Sequence, residues 1–222
     1  MSVKLYHILP AGDPYGGSRN AAKAAIALRD AGVAFDIANM SREADLRPPA
    51  GAYRREINPN GVTPTLDDEG FLLWESAAVL IYIADKWAAG RLLPTEVRAK
   101  ARVHQWLAWE GATFQSTLIG VFLLKASGDA GSKELLEATT RYNANLSVLN
   151  DNLKASDFVA GAFSIADIAL GCSVSIGFLL DIDLKPYPNV ARWLRRFQKM
   201  PAFAQEPSFS ADLAVGEQRT LL

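Results

Sequence analysis

Short apolar runs separated by polar turns fill residues 1–89, whereas helical periodicity dominates the rest of the chain. Val3 to Leu9 is a short apolar run ended by Pro10, which predicts a buried strand. Arg19 to Ala31 has an apolar helical stripe, and Ala34 to Asn39 has the composition of a second strand. A strand, a helix and a strand in this order predict a βαβ unit with a parallel strand pair.

A second strand pair is predicted in the segment NPNGVTPTLDDEGFLLWES, residues 58–76. Thr65 to Asp67 and Phe71 to Trp74 are short strands on either side of a Gly-containing turn, which favours a β-hairpin. Proline cannot donate to a strand ladder, so Pro64 is expected at an edge or in a special turn, a place compatible with a cis Thr63-Pro64 bond.

This segment also predicts a binding site. In such a turn the N–H and C=O groups of Thr63 point outward, where they can pair with an extended peptide by strand addition. Glu75 and Ser76 open an apolar helix, and the start of a helix receives a carboxylate well. Both features predict the same ligand, which is a small peptide with an anionic end.

Domain boundaries follow from the change in periodicity. Gly90 to Thr95 contains a proline and predicts a linker. We therefore expect a first domain over residues 1–89, a linker over 90–95 and an all-helical domain over 96–222. Within the helical domain, Ser164 and Asp167 are spaced as a capping box before an apolar helix, a feature that serves folding.

Composition narrows the possible functions. The chain has 222 residues, half of them hydrophobic, and its formal net charge is −1, so it lacks the basic excess typical of nucleic-acid binding. A single cysteine, Cys172, excludes an internal disulfide, and no metal is expected because no His-rich ligand spacing occurs. No secretory signal and no apolar run of about 18 residues is evident, so we expect a soluble cytoplasmic protein without membrane partners.

The segments NPNGVTPTL and ESAAVLIYIA resemble the glutathione-binding half of the cytosolic glutathione transferase family, and the resemblance extends over nearly the whole chain. It implies an α/β thioredoxin-like N-terminal domain followed by an all-α C-terminal domain. It also implies that glutathione pairs with the main chain of Thr63 before Pro64, that Glu75 and Ser76 hold its γ-glutamyl end, and that Arg54 holds its glycine carboxylate. For Arg54 taken singly, a solvated surface charge stays open as the alternative. The family usually has an aliphatic residue in place of Thr63. Because the threonine backbone can do the same work, we expect no consequence.

The stretch SRNAAKAAIAL resembles the serine-type, bacterial-like branches of the family, in which S-x-N-x-x-K opens the first helix. This implies that Ser18 contacts the glutathione sulfur, with Asn20 as the second candidate. A hydroxyl and free N–H groups at a helix N-terminus do favour a thiolate over a thiol. Two alternatives stay open. In the first, Ser18 serves only as a helix cap. In the second, the hydroxyl that contacts the sulfur belongs to Tyr6 or to Tyr15. Tyr15 lies in a loop that is longer than the family's usual connection.

The resemblance implies an enzyme that uses glutathione as co-substrate and conjugates its thiolate to an apolar electrophile. The electrophile is expected in a second pocket between the domains, lined by Tyr15, Trp109 and Phe114. A homodimer is implied as well. Glutathione-dependent isomerisation, dehalogenation or peroxide reduction is compatible with the same residues, and so is a glutathione-binding module that has lost the chemistry.

Overall fold

In the part of the chain that the structure describes, four strands form one mixed sheet in the order β2-β1-β3-β4. The strands are β1 (Val3–His7), β2 (Asp36–Asn39), β3 (Thr65–Asp68) and β4 (Phe71–Trp74). β1 pairs in parallel with β2 and antiparallel with β3, and β3 pairs antiparallel with β4. Leu5 and Leu66 lie opposite each other on the two central strands and are fully buried. The predicted βαβ unit and hairpin are confirmed, with β2 beginning two residues later than expected.

The computed structural model describes residues 2–49, 51–88, 90–128 and 131–209, which form two compact units. Of these described residues, those within 2–93 and 201–209 form the first unit, and those within 94–200 form the second. The sequence placed residues 201–209 in the helical domain, whereas the structure places them in the first unit. Residues 210–222 of the predicted helical domain lie outside the described residues.

The α-helices in the described part of the first unit are α1 (Arg19–Asp30), α2 (Ala52–Glu56), α3 (Ser76–Trp87) and the short α9 (Pro201–Ala204). A π-helical turn, Arg42–Leu46, and a 3-10 turn, Pro207–Phe209, also belong to it. α1 packs against β1, α3 and α9. Every residue of α1 from Ala21 to Leu28 is buried, which its run of alanines permits because small side chains allow close approach. The N-terminus of α1 is therefore fixed in position by the core of this unit.

A buried polar cluster anchors residues 201–209 in the first unit. The Glu206 carboxylate accepts hydrogen bonds from Arg29 Nη1 at 2.7 Å and from Ser208 Oγ at 2.8 Å. His7 Nε2 lies 3.3 Å from Glu206 Oε1, and both of these side chains are fully buried. Burial opposes ionisation of Glu206, but the contacts with His7, Arg29 and Ser208 outweigh it and lower the pKa of this carboxyl from 4.5 to about 2.

The longer helices of the second unit are α4 (Val97–Trp109), α5 (Gln115–Ala126), α6 (Lys133–Asn152), α7 (Ile165–Ile176) and α8 (Pro188–Gln198). A π-helical turn, Glu110–Phe114, joins α4 to α5. α7 packs against α4 and α8 and is buried along almost its whole length. It begins with the predicted capping box, which is confirmed: Ser164 N donates to Asp167 Oδ2 at 3.0 Å. Asp167 Oδ1 also accepts from Val159 N and Trp193 Nε1, each at 2.9 Å.

Among the described residues, one helical stretch, Val97–Ala126, is long and apolar enough to cross a membrane by length and composition alone. Its mean hydropathy over the most apolar window is 1.2. The core helices of globular domains meet the same two measures, so the finding is weak evidence for a membrane span. The sequence itself has no uninterrupted apolar run of about 18 residues, which is why no span is expected from it.

Candidate functional site

The turn before Pro64 is held by side chains that bond to its backbone. Tyr53 OH and Asn58 Nδ2 each donate to Val62 O at 2.9 Å, and Tyr53 OH lies 2.8 Å from Thr65 Oγ1. Tyr53 and Asn58 are buried, and burial raises the pKa of the Tyr53 hydroxyl. Neither was predicted as a site residue. The only sequence signal was the Asn-Pro turn, which does not reveal that Asn58 bonds to Val62.

This turn places Thr63 beside Ser18. The Thr63-Pro64 peptide bond is cis. Thr63 Oγ1 donates a hydrogen bond to Ser18 Oγ over 2.8 Å. Among the described residues, no backbone group pairs with the N–H or the C=O of Thr63. The main chain of Thr63 and the hydroxyl of Ser18, both predicted as site groups, are thus brought together.

Ser18 is the N-cap of α1, with extended φ and ψ of −99° and 106°. Its Oγ accepts from Ala21 N at 3.3 Å, and its own N–H donates to Ile8 O at 2.9 Å. The preceding Gly17 has φ +93°, and a Cβ built on it would lie 2.9 Å from Ile8 O. Only glycine fits there, so the local sequence fixes where Ser18 begins the helix.

Glu75 and Ser76 stand at the start of α3. Glu75 is exposed and has φ +72°, a left-handed conformation that costs a non-glycine residue about 1–3 kcal/mol. Among the described residues, no side chain caps the N-terminus of α3. Within the described parts of the chain, neither the Glu75 nor the Ser76 side chain has a hydrogen-bond partner. The first N–H groups of α3, a hydroxyl and a carboxylate are therefore available at one place, and strained residues of this kind cluster at ligand sites.

Asn20 lies in the first turn of α1, and its Oδ1 accepts from Lys23 Nζ at 2.9 Å. Lys23 is 1% exposed and lies one helical turn after Asn20 in α1. Tyr6, the alternative source of a hydroxyl, is partly buried and packs edge-on against the Tyr53 ring with centroids 5.6 Å apart.

The Arg54 guanidinium has a structural contact. Its Nε donates to Leu46 O at 2.8 Å, and the group lies so close to Gly61 that a Cβ there would come within 2.4 Å of it. Arg54 therefore links α2 to the turn before Pro64. A role for Arg54 at the glycine carboxylate of a ligand stays a prediction.

Hydrogen bonds to the Asp13 carboxylate stabilise the loop over residues 10–17. The Asp13 carboxylate accepts from Gly17 N at 2.8 Å, from Tyr15 N at 3.2 Å and from Arg42 Nε at 2.7 Å. Burial opposes the ionisation of Asp13, but Arg42 and the backbone donors prevail and lower its pKa. The Tyr15 ring is 49% exposed and lies beneath the Arg42 guanidinium at 5.2 Å. A cavity of about 240 Å³ lies between this loop and residues 39–45. The Asp13–Arg42 pair joins residues 29 positions apart, and no motif in the sequence indicates it.

Trp109 and Phe114 belong to the second unit, where their ring centroids are 5.5 Å apart. Trp109 is half-buried, and Phe114 is fully buried against Tyr142 with centroids 5.1 Å apart. The lining of a second-substrate pocket by Tyr15, Trp109 and Phe114 stays a prediction.

Comparison with known proteins identifies the family. Residues 17–86 match the family model of the glutathione S-transferase N-terminal domain, and residues 114–201 match that of the C-terminal domain. Glutathione S-transferase D7 of Drosophila melanogaster is 31% identical over 73% of this chain and 77% of its own length. Glutathione S-transferase D6 of the same organism is 34% identical over 65% of this chain and 67% of its own length.

A solved structure agrees with the family models. The theta class glutathione S-transferase from Xanthomonas axonopodis pv. citri, with glutathione bound, is 26% identical to this chain. The similarity covers 92% of this chain and 96% of that one, with a TM-score of 0.79. The predicted fold, a thioredoxin-like domain with an all-α domain, is confirmed. With matches to both domain models and to enzymes at 31–34% identity, this chain belongs to the glutathione S-transferase family, whose members bind glutathione.

Proposed function

We propose that this protein conjugates the thiolate of glutathione to an apolar electrophile and that Ser18 stabilises the thiolate. The observation that carries the proposal is the 2.8 Å contact between Thr63 and Ser18, because it sets a hydroxyl beside a main chain that has no backbone partner among the described residues. A sulfur-bearing peptide paired with that main chain has its sulfur near the hydroxyl.

Glutathione binds by strand addition in this proposal. The N–H and C=O of Thr63 pair with the cysteinyl residue of the ligand, as an exposed edge pairs with an extended peptide. Glu75 receives the ammonium group of the γ-glutamyl end. The α-carboxylate of the γ-glutamyl end accepts hydrogen bonds from the Ser76 hydroxyl and from the first N–H groups of α3, where the helix dipole favours an anion. The uncapped start of α3 and the strained Glu75 support this arrangement.

The Ser18 hydroxyl then donates to the sulfur. The first turn of α1 adds the positive end of a helix dipole, and both effects favour the thiolate. Each unit by which the thiol pKa falls corresponds to about 1.4 kcal/mol of preferential stabilisation of the thiolate. The thiolate attacks the electrophilic carbon, a carbon–sulfur bond forms, and the leaving group departs with the electron pair of its broken bond. The proposed enzyme is a cytoplasmic homodimer whose partners are glutathione and a small hydrophobic electrophile.

Calorimetry and a conjugation assay test this proposal. Glutathione and S-methylglutathione should both bind the wild-type protein, since the proposed contacts lie on the peptide and not on the thiol proton. Ser76→Ala and Glu75→Gln should weaken both ligands by about tenfold each, as expected for losing a hydrogen bond to a charged group. Tyr15→Phe is the comparison for the alternative hydroxyl and should conjugate a chromogenic aryl halide at the wild-type rate. Binding of both peptides without turnover of any electrophile would contradict the transferase assignment and favour a binding module.

A further inference from the structure

We propose that Thr63 is a positioning residue for the thiolate-stabilising hydroxyl, because its side chain holds Ser18 with the serine proton directed to the glutathione sulfur. This inference rests on the proposed function and adds a specific role for a side chain. From the sequence, Thr63 was expected to act through its backbone alone, like the aliphatic residue usual at this place. An aliphatic side chain has no hydroxyl to give.

The hydrogen-bond inventory of Ser18 carries the inference. A serine hydroxyl accepts two hydrogen bonds and donates one. Ser18 Oγ accepts from Thr63 Oγ1 at 2.8 Å and from Ala21 N at 3.3 Å, so both of its acceptor sites are filled. Among residues 2–49, 51–88, 90–128 and 131–209, no acceptor takes the remaining O–H. Ser18 is thereby left as a donor, which is the role that a thiolate requires.

Burial keeps the hydrogen bond between Thr63 and Ser18 from exchanging with water. Ser18 is 8% exposed and Thr63 is 7% exposed, so bulk water competes little for either hydroxyl. Tyr53 and Asn58 hold the adjacent Val62 carbonyl, which fixes the position from which the Thr63 side chain reaches Ser18. A hydroxyl that accepts hydrogen bonds is polarised and donates more strongly, by about 10–30% per bond in condensed-phase estimates. Thr63 thus both orients and strengthens the donor.

The opposite proton order makes a distinct prediction. If Ser18 donated to Thr63 instead, the serine O–H would be engaged by the threonine and could not donate a hydrogen bond to the sulfur. Removing the Thr63 hydroxyl would then free Ser18 and lower the pKa of the bound thiol. In the proposed order, the same change lets the Ser18 hydroxyl rotate and raises that pKa. The sign of the shift separates the two.

The test is Thr63→Val, which keeps the shape of the side chain and the backbone contacts. The pKa of enzyme-bound glutathione is measured from the ultraviolet absorbance of the thiolate and from the pH profile of kcat/KM. We expect it to rise by about half a unit to one unit, which is about a threefold to tenfold loss of kcat/KM below the pKa. Affinity for S-methylglutathione, which has no thiol proton, should change less than about twofold, because the peptide contacts remain. Thr63→Ser should restore the wild-type pKa, and Thr140→Val, on the exposed face of α6, should leave it unchanged.

A double mutant completes the design. In the Ser18→Ala background, adding Thr63→Val should not move the thiol pKa further, because the donor through which Thr63 acts is gone. Thr63→Ala lacks the hydroxyl as well and gives the same comparison if the valine variant does not fold. An unchanged or lowered thiol pKa in the single variants, or a further shift in the double variant, overturns the inference. Failure of the proposed function has a different signature: Ser18→Ala itself leaves the pKa of the bound thiol unchanged.

Discussion

Replacing Glu206 with glutamine should destabilise the first unit in a pH-dependent way. The pKa of Glu206 is 4.5 as a free side chain and about 2 in the folded protein, where His7, Arg29 and Ser208 surround it. A difference of about 2.5 units corresponds to roughly 3 kcal/mol of folding free energy. Because the folded-state pKa is the lower one, this stability is fully present above pH 4.5. It is lost as the pH falls toward 2.

The assay is hydrogen exchange of β1 and α1 peptides during urea denaturation, since these elements belong to the unit that Glu206 anchors. At pH 7, Glu206→Gln should lower the free energy of unfolding of this unit by about 3 kcal/mol, because the Arg29 guanidinium loses its buried partner. The gap between wild type and variant should close as the pH approaches 2.

The matched control is Glu137→Gln. Glu137 lies on α6, is about half exposed, and pairs with Lys133 at 3.7 Å. An exposed pair contributes about 0–1 kcal/mol, so this variant should resemble the wild type at every pH. If Glu206→Gln unfolded at the wild-type urea concentration at pH 7, or if its deficit stayed constant down to pH 2, the account of the buried cluster would be wrong.

Two further changes test the supports of the site and of the helical unit. Gly17→Ala should lower the free energy of unfolding by about 1–3 kcal/mol more than Gly12→Ala does in urea denaturation. Both residues have positive φ, but of the two only Gly17 is placed so that an added Cβ would meet a backbone atom, Ile8 O. Equal losses would contradict the role given to this close approach. Asp167→Asn should cost about 2–4 kcal/mol, because an amide nitrogen replaces an oxygen that accepts hydrogen bonds, whereas Asp151→Asn on exposed α6 should cost less than about 1 kcal/mol. Calorimetric unfolding of both aspartate variants checks this, and similar melting curves would refute it.

Local patterns in the sequence predicted most of the fold. The βαβ unit, the hairpin and the capping box at Ser164 each depend on residues near one another in the chain, where spacing, turn residues and apolar periodicity act directly. The return of residues 201–209 to the first unit was not predictable in this way. It depends on Glu206 meeting Arg29, 177 residues earlier in the chain, and no periodicity encodes such a pairing.

The candidate site likewise combines features that have a local sequence signature with contacts between residues far apart in the chain. Helix-start residues such as Ser18 and Ser76 are recognisable because capping has a local signature. The contact of Ser18 with Thr63 joins residues 45 positions apart, and no local pattern indicates that the threonine side chain turns toward Ser18. The Arg54 guanidinium also contacts Leu46 O and Gly61, and no local pattern in the sequence indicates these contacts. Its contact with a ligand stays a prediction.

The thiol pKa of glutathione bound to wild-type protein and to Ser18→Ala tests the central claim most directly. Wild-type protein should bind the ligand with the thiol pKa well below that of free glutathione, and Ser18→Ala should return it toward the free value while binding S-methylglutathione with nearly unchanged affinity. A bound thiol with the same pKa in both proteins would contradict the account, because the hydroxyl at the start of α1 would then have no part in forming the thiolate.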